Sequence, residues 1–243
     1  MDILQRKFTV RHHEAGMDGT LRLAPLFDMF QDAAAEHAQI LGCGMAYLKE
    51  QSKAWVLSRI ALEITRMPVI GETVTVETYP SGVERLFAIR QFTVTDEKGS
   101  VISRATSCWL LLDAVSFRPQ RIMETLGRNL PLNDGKPRHF PVPAKIQAPP
   151  ENAAEHVHTV RHSQIDVNHH LNNAFFAAFV HDMLGTLSGE NRVPGSLQIL
   201  FQHAGTLGAE IVCRGGLENG SDFRMEGRSP DGETLYFQAQ GTL

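Results

Sequence analysis

The sequence predicts an α+β chain in which one unit, a helix followed by an antiparallel meander of strands, is written twice. Two observations carry the prediction. The hydrophobic period changes from helical to alternating near Trp55, and the same change recurs beyond a proline-rich stretch centred near residue 140.

The first helical period runs from Leu23 to Leu41. Leu23, Leu26, Phe27, Phe30, Ala33, Ala34, Ala38 and Leu41 fall at i, i+3, i+4, i+7 spacing and share one face. Ala33, Ala34 and Ala35 keep the helix slim, which suits close packing on a sheet. His37, on the buried side, reads as a satisfied core histidine. Phe27, Met29, Phe30 and Met45 read as plain core, with the lining of a tunnel as the second reading. Trp55 to Ile64, Glu72 to Tyr79, Leu86 to Thr95 and Val101 to Leu112 read as strands, in which Val74, Val76 and Thr78 alternate with Thr73, Thr75 and Glu77. Turn residues separate them: Pro68 with Gly71, Pro80-Ser81-Gly82, and Asp96 to Gly99.

Residues 127–153 hold half of the chain's prolines and little periodicity, so they read as an extended linker between a unit at 1–126 and a unit at 154–243. Beyond it the pattern returns. A short strand from His156 to Arg161 leads to a helix from about Asn172, with Phe175, Phe176, Phe179, Val180, Met183, Leu184 and Leu187 on one face. Four strands follow near 196–203, 208–217, 221–228 and 233–242. Gly208-Ala209-Glu210-Ile211 echoes Gly71-Glu72-Thr73-Val74 at an offset of about 135 residues. An antiparallel sheet needs one face covered, and one helix covers it. That is the hot-dog arrangement, here a double hot-dog in one chain.

Composition bounds the function. A net charge of −4 argues against nucleic acid as a partner, which favours a basic surface. No apolar run is long enough to span a bilayer, and the first residues lack a secretory core. Three widely spaced cysteines, Cys43, Cys108 and Cys213, fit a reduced, cytoplasmic protein and no metal pattern.

The densest polar cluster is Gln164-Ile165-Asp166-Val167-Asn168-His169-His170-Leu171-Asn172-Asn173, just before the second helix. A helix cap explains Asn172 or Asn173 without chemistry. It does not explain Asp166, Asn168 and His170, which in an extended stretch would line one wall. A carboxylate, an amide and an imidazole beside a helix N-terminus suit acyl transfer, because the helix end favours a developing oxyanion. His170 then serves as base or polariser, its tautomer set by a neighbouring carboxylate. The first unit has Asp18-Gly19-Thr20-Leu21-Arg22-Leu23 at the corresponding place; it keeps an Asp and lacks the Asn and His, which points to a site in the second unit.

Asp166, Asn168, His170, Asn172 and Asn173 match the Asp-x-Asn-x-His-x-Asn-Asn of the plant and bacterial acyl-acyl carrier protein (ACP) thioesterases, a family this chain resembles along nearly its whole length. Val10-Arg11 to Gly19, Trp55 to Arg59 with Pro68 and Gly71, and Arg104 to Ser107 with Trp109, Asp113, Arg118, Pro119 and Arg121 resemble further family segments. The resemblance implies a cytosolic hydrolase of fatty acyl-ACP thioesters, needing no metal and no organic cofactor. Its partner would be ACP, bearing the acyl group on phosphopantetheine. Asp166, Asn168 and His170 would be catalytic, with Asn172 and Asn173 at the oxyanion end. One departure stands out. The family's aromatic-x-x-Glu, sometimes followed by Cys, reads Phe201-Gln202-His203-Ala204-Gly205 here. Both the Glu and the Cys are replaced, and Cys213 lies beyond the expected place. Direct attack by water remains, with Gln202, on the face of Ala204 by strand alternation, as the candidate to position it. Ala204 keeps a second reading open, an acyl-ACP- or acyl-CoA-binding or regulatory protein with weak or no catalysis. A third is a thioesterase acting on acyl-CoA. Chain length, carrier and a homodimer are left open.

Two further signals complete the reading. Arg138-His139-Phe140-Pro141 resembles the His-Phe-Pro of hot-dog dehydratases, without the acidic partner helix that chemistry needs. Arg118, Arg121, Arg128, Lys136, Arg138 and Lys145 face only Glu124 and Asp134, a basic run that reads as a solvated linker or a docking surface for an acidic carrier.

Overall fold

Alternating apolar residues commit ten segments to strands, and all of them join one antiparallel sheet. The computed structural model describes residues 2–127, 130–131, 133 and 135–243. The first half supplies β1 (Leu4–Thr9), β2 (Lys53–Ile64), β3 (Thr73–Glu84), β4 (Phe87–Thr95) and β5 (Val101–Asp113); the second supplies β6 (Ala154–Thr159), β7 (Ser196–Phe201), β8 (Glu210–Glu218), β9 (Asp222–Arg228) and β10 (Leu235–Thr242). Their order is β1-β3-β4-β5-β2-β7-β10-β9-β8-β6, so each half repeats the other about the β2–β7 seam, where Ile60 faces Ile199. One long helix covers each half: α1 (Leu23–Ile40) and, after the short α2 (Met45–Glu50) and α3 (Ile122–Leu126), α4 (Asn173–Ser188). The two long helices pack on each other. This is the double hot-dog expected from the sequence.

The helix faces follow the predicted stripe. Leu23, Leu26, Phe27, Phe30, Ala33, Ala34 and His37 of α1 are buried, and Phe30 meets Phe92 of β4 at 4.7 Å between ring centroids. On α4, Phe176 lies among Phe179, Phe201 and Phe237. Gly189 ends α4 in the left-handed region that a glycine enters without a Cβ penalty. His37 is fully buried and bonds Arg90 at 3.1 Å. Met45 is 62% exposed and lies outside the core. The short helices α2 and α3, five or six residues each, escape periodicity analysis; their Leu48, Ile122 and Leu126 join Cys43, Ala88 and Leu111 in a second, smaller core. No helix among the described residues is long and apolar enough to cross a membrane.

The described part of the proline-rich stretch forms no α-helix or strand, and its middle is pinned by hydrogen bonds rather than free. It lies across the sheet face opposite α1. Phe92 and Val94 of β4 face the core, so Gln91 and Thr93 face the strap, where Gln91 accepts from the His139 N–H at 3.0 Å and Thr93 bonds His139 Nε2 at 3.0 Å. Phe140 N–H donates to Thr106 and Tyr79 to the Pro137 carbonyl, at 3.0 and 2.8 Å. Buried polar side chains on a sheet need partners, and an irregular backbone supplies them; prolines reduce the N–H groups left over. His139 is therefore an anchor. The basic run is partly neutralised: Arg121 pairs with Glu124, Arg138 pairs with Glu84 and donates to the Ser81 carbonyl, and Lys136 lies over the Tyr79 ring. Arg128 and Asp134 fall outside the described residues.

Candidate functional site

Asp166 to His170 is a tight turn, not the extended wall expected from alternation. A bridge between Ile165 and Leu171 closes its base, the Asp166 N–H donates to the His170 carbonyl at 2.8 Å, and His169 N–H donates to the Asp166 carbonyl at 3.0 Å. His169 adopts φ +62°, a left-handed conformation that costs a non-glycine residue about 1–3 kcal/mol. The Asp166 carboxylate builds this turn. Its Oδ1 accepts from the backbone N–H of Asn168 (2.8 Å) and of His170 (3.3 Å), and its Oδ2 accepts from Asn168 Nδ2 (3.2 Å). A short carboxylate that captures N–H groups two residues on is a common turn builder. The curl gathers Asp166, Asn168 and His170 within five residues at the mouth of α4. Asn168 is exposed; Asp166 and His170 are half-buried.

Asn172 caps α4. Its Oδ1 accepts from the Ala174 N–H at 2.9 Å, and its carbonyl accepts from the Phe175 N–H at 2.9 Å. These donors are thus engaged, and Asn173, at the first helical position, carries the backbone N–H nearest the turn that helix geometry leaves without an intrahelical acceptor. Asn172 Oδ1 also accepts from Gln31 Nε2 of α1 at 3.0 Å, a contact spanning 141 residues that no local pattern reveals.

The first repeat has the same turn in a closed form. The Ala15–Leu21 bridge matches Ile165–Leu171, which aligns Gly16 with Asp166, Asp18 with Asn168, Gly19 with His169 and Thr20 with His170. The Asp retained in the first unit therefore stands opposite Asn168, and Gly16 takes the place of Asp166. Asp18 accepts from the N–H and hydroxyl of Thr20 at 3.0 and 2.9 Å. Burial alone would raise its carboxyl; donors from Thr20 and Asn191 outweigh that and hold it below the usual carboxylate range. Asn191, from the loop after α4, accepts in turn from His181 Nε2–H at 2.9 Å. Each polar group here is tied to a neighbour.

Strand β7 ends at Phe201, so strand alternation does not govern Gln202 or Ala204. The N–H groups of Gln202 and His203 both donate to the Tyr236 carbonyl, at 2.8 and 3.2 Å, and His203 Nδ1–H donates to the Leu235 carbonyl. Gln202 and Ala204 are exposed. The chain then passes the motif turn: Leu171 N–H donates to the Gly205 carbonyl at 2.8 Å, as Leu21 N–H does to Pro68 in the first repeat. A Cβ at Gly205 would lie 3.1 Å from Leu171 Cβ, so a cysteine there requires Leu171 to shift.

The cysteines are poor nucleophiles. All three are buried, and burial pushes the Cys108 and Cys213 thiols up to about 12. At pH 8 such a thiol is thiolate in about one molecule per ten thousand. Iodoacetamide at that pH is expected to leave the native chain unmodified by mass spectrometry while labelling all three positions in denaturant; rapid native labelling of Cys213 would contradict its burial. Two surface grooves lie away from the motif. One, about 360 Å³, runs over the β2–β7 seam beside Glu63, Gln198 and Arg224; the other, about 350 Å³, lies beside α3 and carries Arg85, Arg121 and Glu124 among apolar Val83, Leu86 and Met123.

Comparison with known proteins agrees with this architecture. The chloroplastic palmitoyl-acyl carrier protein thioesterase of Gossypium hirsutum is 27% identical over 190 residues, covering 73% of this chain and 46% of that protein. The dodecanoyl-[acyl-carrier-protein] hydrolase of Umbellularia californica is 28% identical over 196 residues, covering 73% and 50%. The chain thus spans about half the length of the curated relatives it matches. Among solved structures, an acyl-ACP thioesterase from Bacteroides thetaiotaomicron superposes with a TM-score of 0.85 at 23% identity, over 99% of this chain and 97% of that one. The 12:0-ACP thioesterase from Umbellularia californica gives 0.81 at 21% identity, over 99% and 93%. Residues 2–129 match the acyl-ACP thioesterase N-terminal domain and residues 147–236 its C-terminal domain, and the chain belongs to the acyl-ACP thioesterase family.

Proposed function

We propose that the chain hydrolyses the thioester joining a fatty acyl group to the phosphopantetheine of ACP, releasing free fatty acid and holo-ACP. The observation that carries this reading is the asymmetry of the two turns: in the first, Thr20 and Asn191 both donate to Asp18, whereas in the second Asn168 is held on Asp166 and His170 stands at the helix mouth. Water adds to the carbonyl carbon as His170 takes its proton; the C–S bond then breaks and the leaving thiolate is protonated. Asn168 and Asn173 polarise the carbonyl oxygen. Asp166 holds the turn, Asn172 holds the helix mouth, and Gln202 positions water. The acyl tail enters the N-terminal repeat. The names of the relatives, palmitoyl and dodecanoyl thioesterases of acyl carrier protein, support a fatty acyl substrate.

Turnover of a panel of acyl-ACPs tests this directly. Ala204 supports a second reading, a carrier- or acyl-binding protein with weak catalysis. Restoring the missing carboxylate discriminates: Ala204 is exposed and next to the turn, so Ala204→Glu is expected to raise kcat by about 10²-fold, the lower end of the 10²–10⁴ range of a general base. Tight acyl-ACP binding without turnover in wild type, and turnover only in Ala204→Glu, would favour the second reading.

For ACP docking, the groove beside α3 joins Arg85, and Arg121 with its partner Glu124, to apolar Leu86 and Met123, a surface on which Arg85 is the cation offered to an acidic carrier and Arg121 would have to exchange Glu124 for it. Arg138 anchors the strap and makes a poor probe. Arg85→Glu with Arg121→Glu is expected to raise KM for acyl-ACP several-fold and to spare a short acyl thioester of free pantetheine. Equal loss on both substrates would remove the docking role; relative kcat/KM on acyl-CoA and acyl-ACP identifies the carrier.

A further inference from the structure

We propose that Gln31, on the helix of the first repeat, is a positioning residue for the site of the second; this rests on the hydrolase reading above. Gln31 and His181 are the ninth residues of α1 and α4. Their partners differ. His181 Nε2–H is consumed by Asn191 of the loop after its own helix, beside the closed first turn. Gln31 Nε2 instead donates to Asn172 Oδ1 at 3.0 Å, with a longer approach to Asp28 Oδ1 at 3.5 Å. Both acceptors select the same amide orientation for Gln31 and leave its Oε1 to accept from water.

The consequence falls on Asn172. Its Oδ1 receives two donors, Ala174 N–H along the helix and Gln31 Nε2 from the side. With the oxygen held twice, the Asn172 amide is fixed in one orientation, and Nδ2 is its remaining donor. A donor fixed before the reaction stabilises developing charge better than one that must reorient. The need is acute here, because Ala204 and Gly205 leave no carboxylate or thiol on the neighbouring segment. The N-terminal repeat thus completes the site as well as receiving the tail.

Three single variants of the full chain, Gln31→Ala, Gln31→Glu and His170→Ala, are compared on a long-chain acyl-ACP. Gln31→Ala is expected to lower kcat about 10- to 100-fold with KM within about twofold and Tm nearly unchanged. In Gln31→Glu an ionised carboxylate would face the Asn172 oxygen, so its activity relative to wild type should rise as pH falls from 7 toward 5. A merely structural role would not produce that pH dependence. Wild-type kcat in both Gln31 variants, or a loss confined to KM or explained by unfolding, overturns the inference. Loss in His170→Ala with none in Gln31→Ala overturns it alone; full activity in His170→Ala, or no turnover by wild type, overturns the hydrolase site on which it rests.

Discussion

His170→Ala is expected to lower kcat/KM on acyl-ACP by about 10²- to 10⁴-fold while leaving thermal unfolding almost where it was. The separation follows from how His170 is held. Its backbone carbonyl and N–H make the turn bonds to Asp166, and an alanine keeps both. Only the half-buried imidazole goes. Asp166 needs a different substitution, because its carboxylate organises the turn through three hydrogen bonds. Asp166→Ala would remove charge and scaffold together, whereas Asp166→Asn keeps one accepting oxygen for the Asn168 and His170 N–H groups. If Asp166→Asn stays within about threefold of wild type, the residue acts as a turn builder. If it falls as far as His170→Ala, the charge itself is used. Full activity in both variants would sink the proposed site. The measurement is steady-state kinetics beside a melting curve for each variant.

Phe176→Ala is expected to destabilise the chain by about 3–5 kcal/mol. The ring is 1% exposed and sits between Phe179 of its own helix, Phe201 at the end of β7 and Phe237 of β10, with centroids 6.0, 5.8 and 5.1 Å away. Its removal leaves a void that three large neighbours cannot close together, and aromatic pair contacts are lost with it. Against a typical domain stability of about 5–15 kcal/mol the loss is large. It should also reach function, since Phe201 leads into the segment whose Gly205 carbonyl holds Leu171 beside the motif turn. Chemical denaturation provides the measurement, and a loss below about 1.5 kcal/mol would show that the void refills.

Much of the fold is legible in the side-chain pattern because hydrophobic period is a local property. Leu23 to Leu41 reads as a helix, and the structure ends it one residue earlier, at Ile40. Val101 to Leu112 reads as a strand and extends to Asp113. Short elements carry less signal: α2 and α3 span fewer than two turns and offer no stripe to detect. The anchoring of the proline-rich strap was hidden for another reason. Polarity and proline content describe a segment's own preferences, while the place where it is pinned is decided by Gln91, Thr93 and Thr106 on strands far away in sequence.

The candidate site divides along the same line. Residue types before α4 suffice to mark Asp166, Asn168, His170, Asn172 and Asn173 as unusual, since a cap alone explains only the last pair. Alternation, however, presumes an extended chain. Here the Asp166 carboxylate captures two nearby N–H groups and curls the segment, so its role in the turn emerges only from the hydrogen bonds.

Taken alone, the order of residues determined the doubled helix-and-meander plan, the helix stripes and the motif's position at the mouth of the second helix. All of these depend on neighbours within a few turns or strands. Tertiary structure alone decided that Gly16 holds in the first repeat the place of Asp166 in the second, that the strap is pinned on the sheet, and that Gln31 touches Asn172. The last two join residues far apart along the chain, and folding brings them together only by burying the apolar faces that the helix pair and the sheet share.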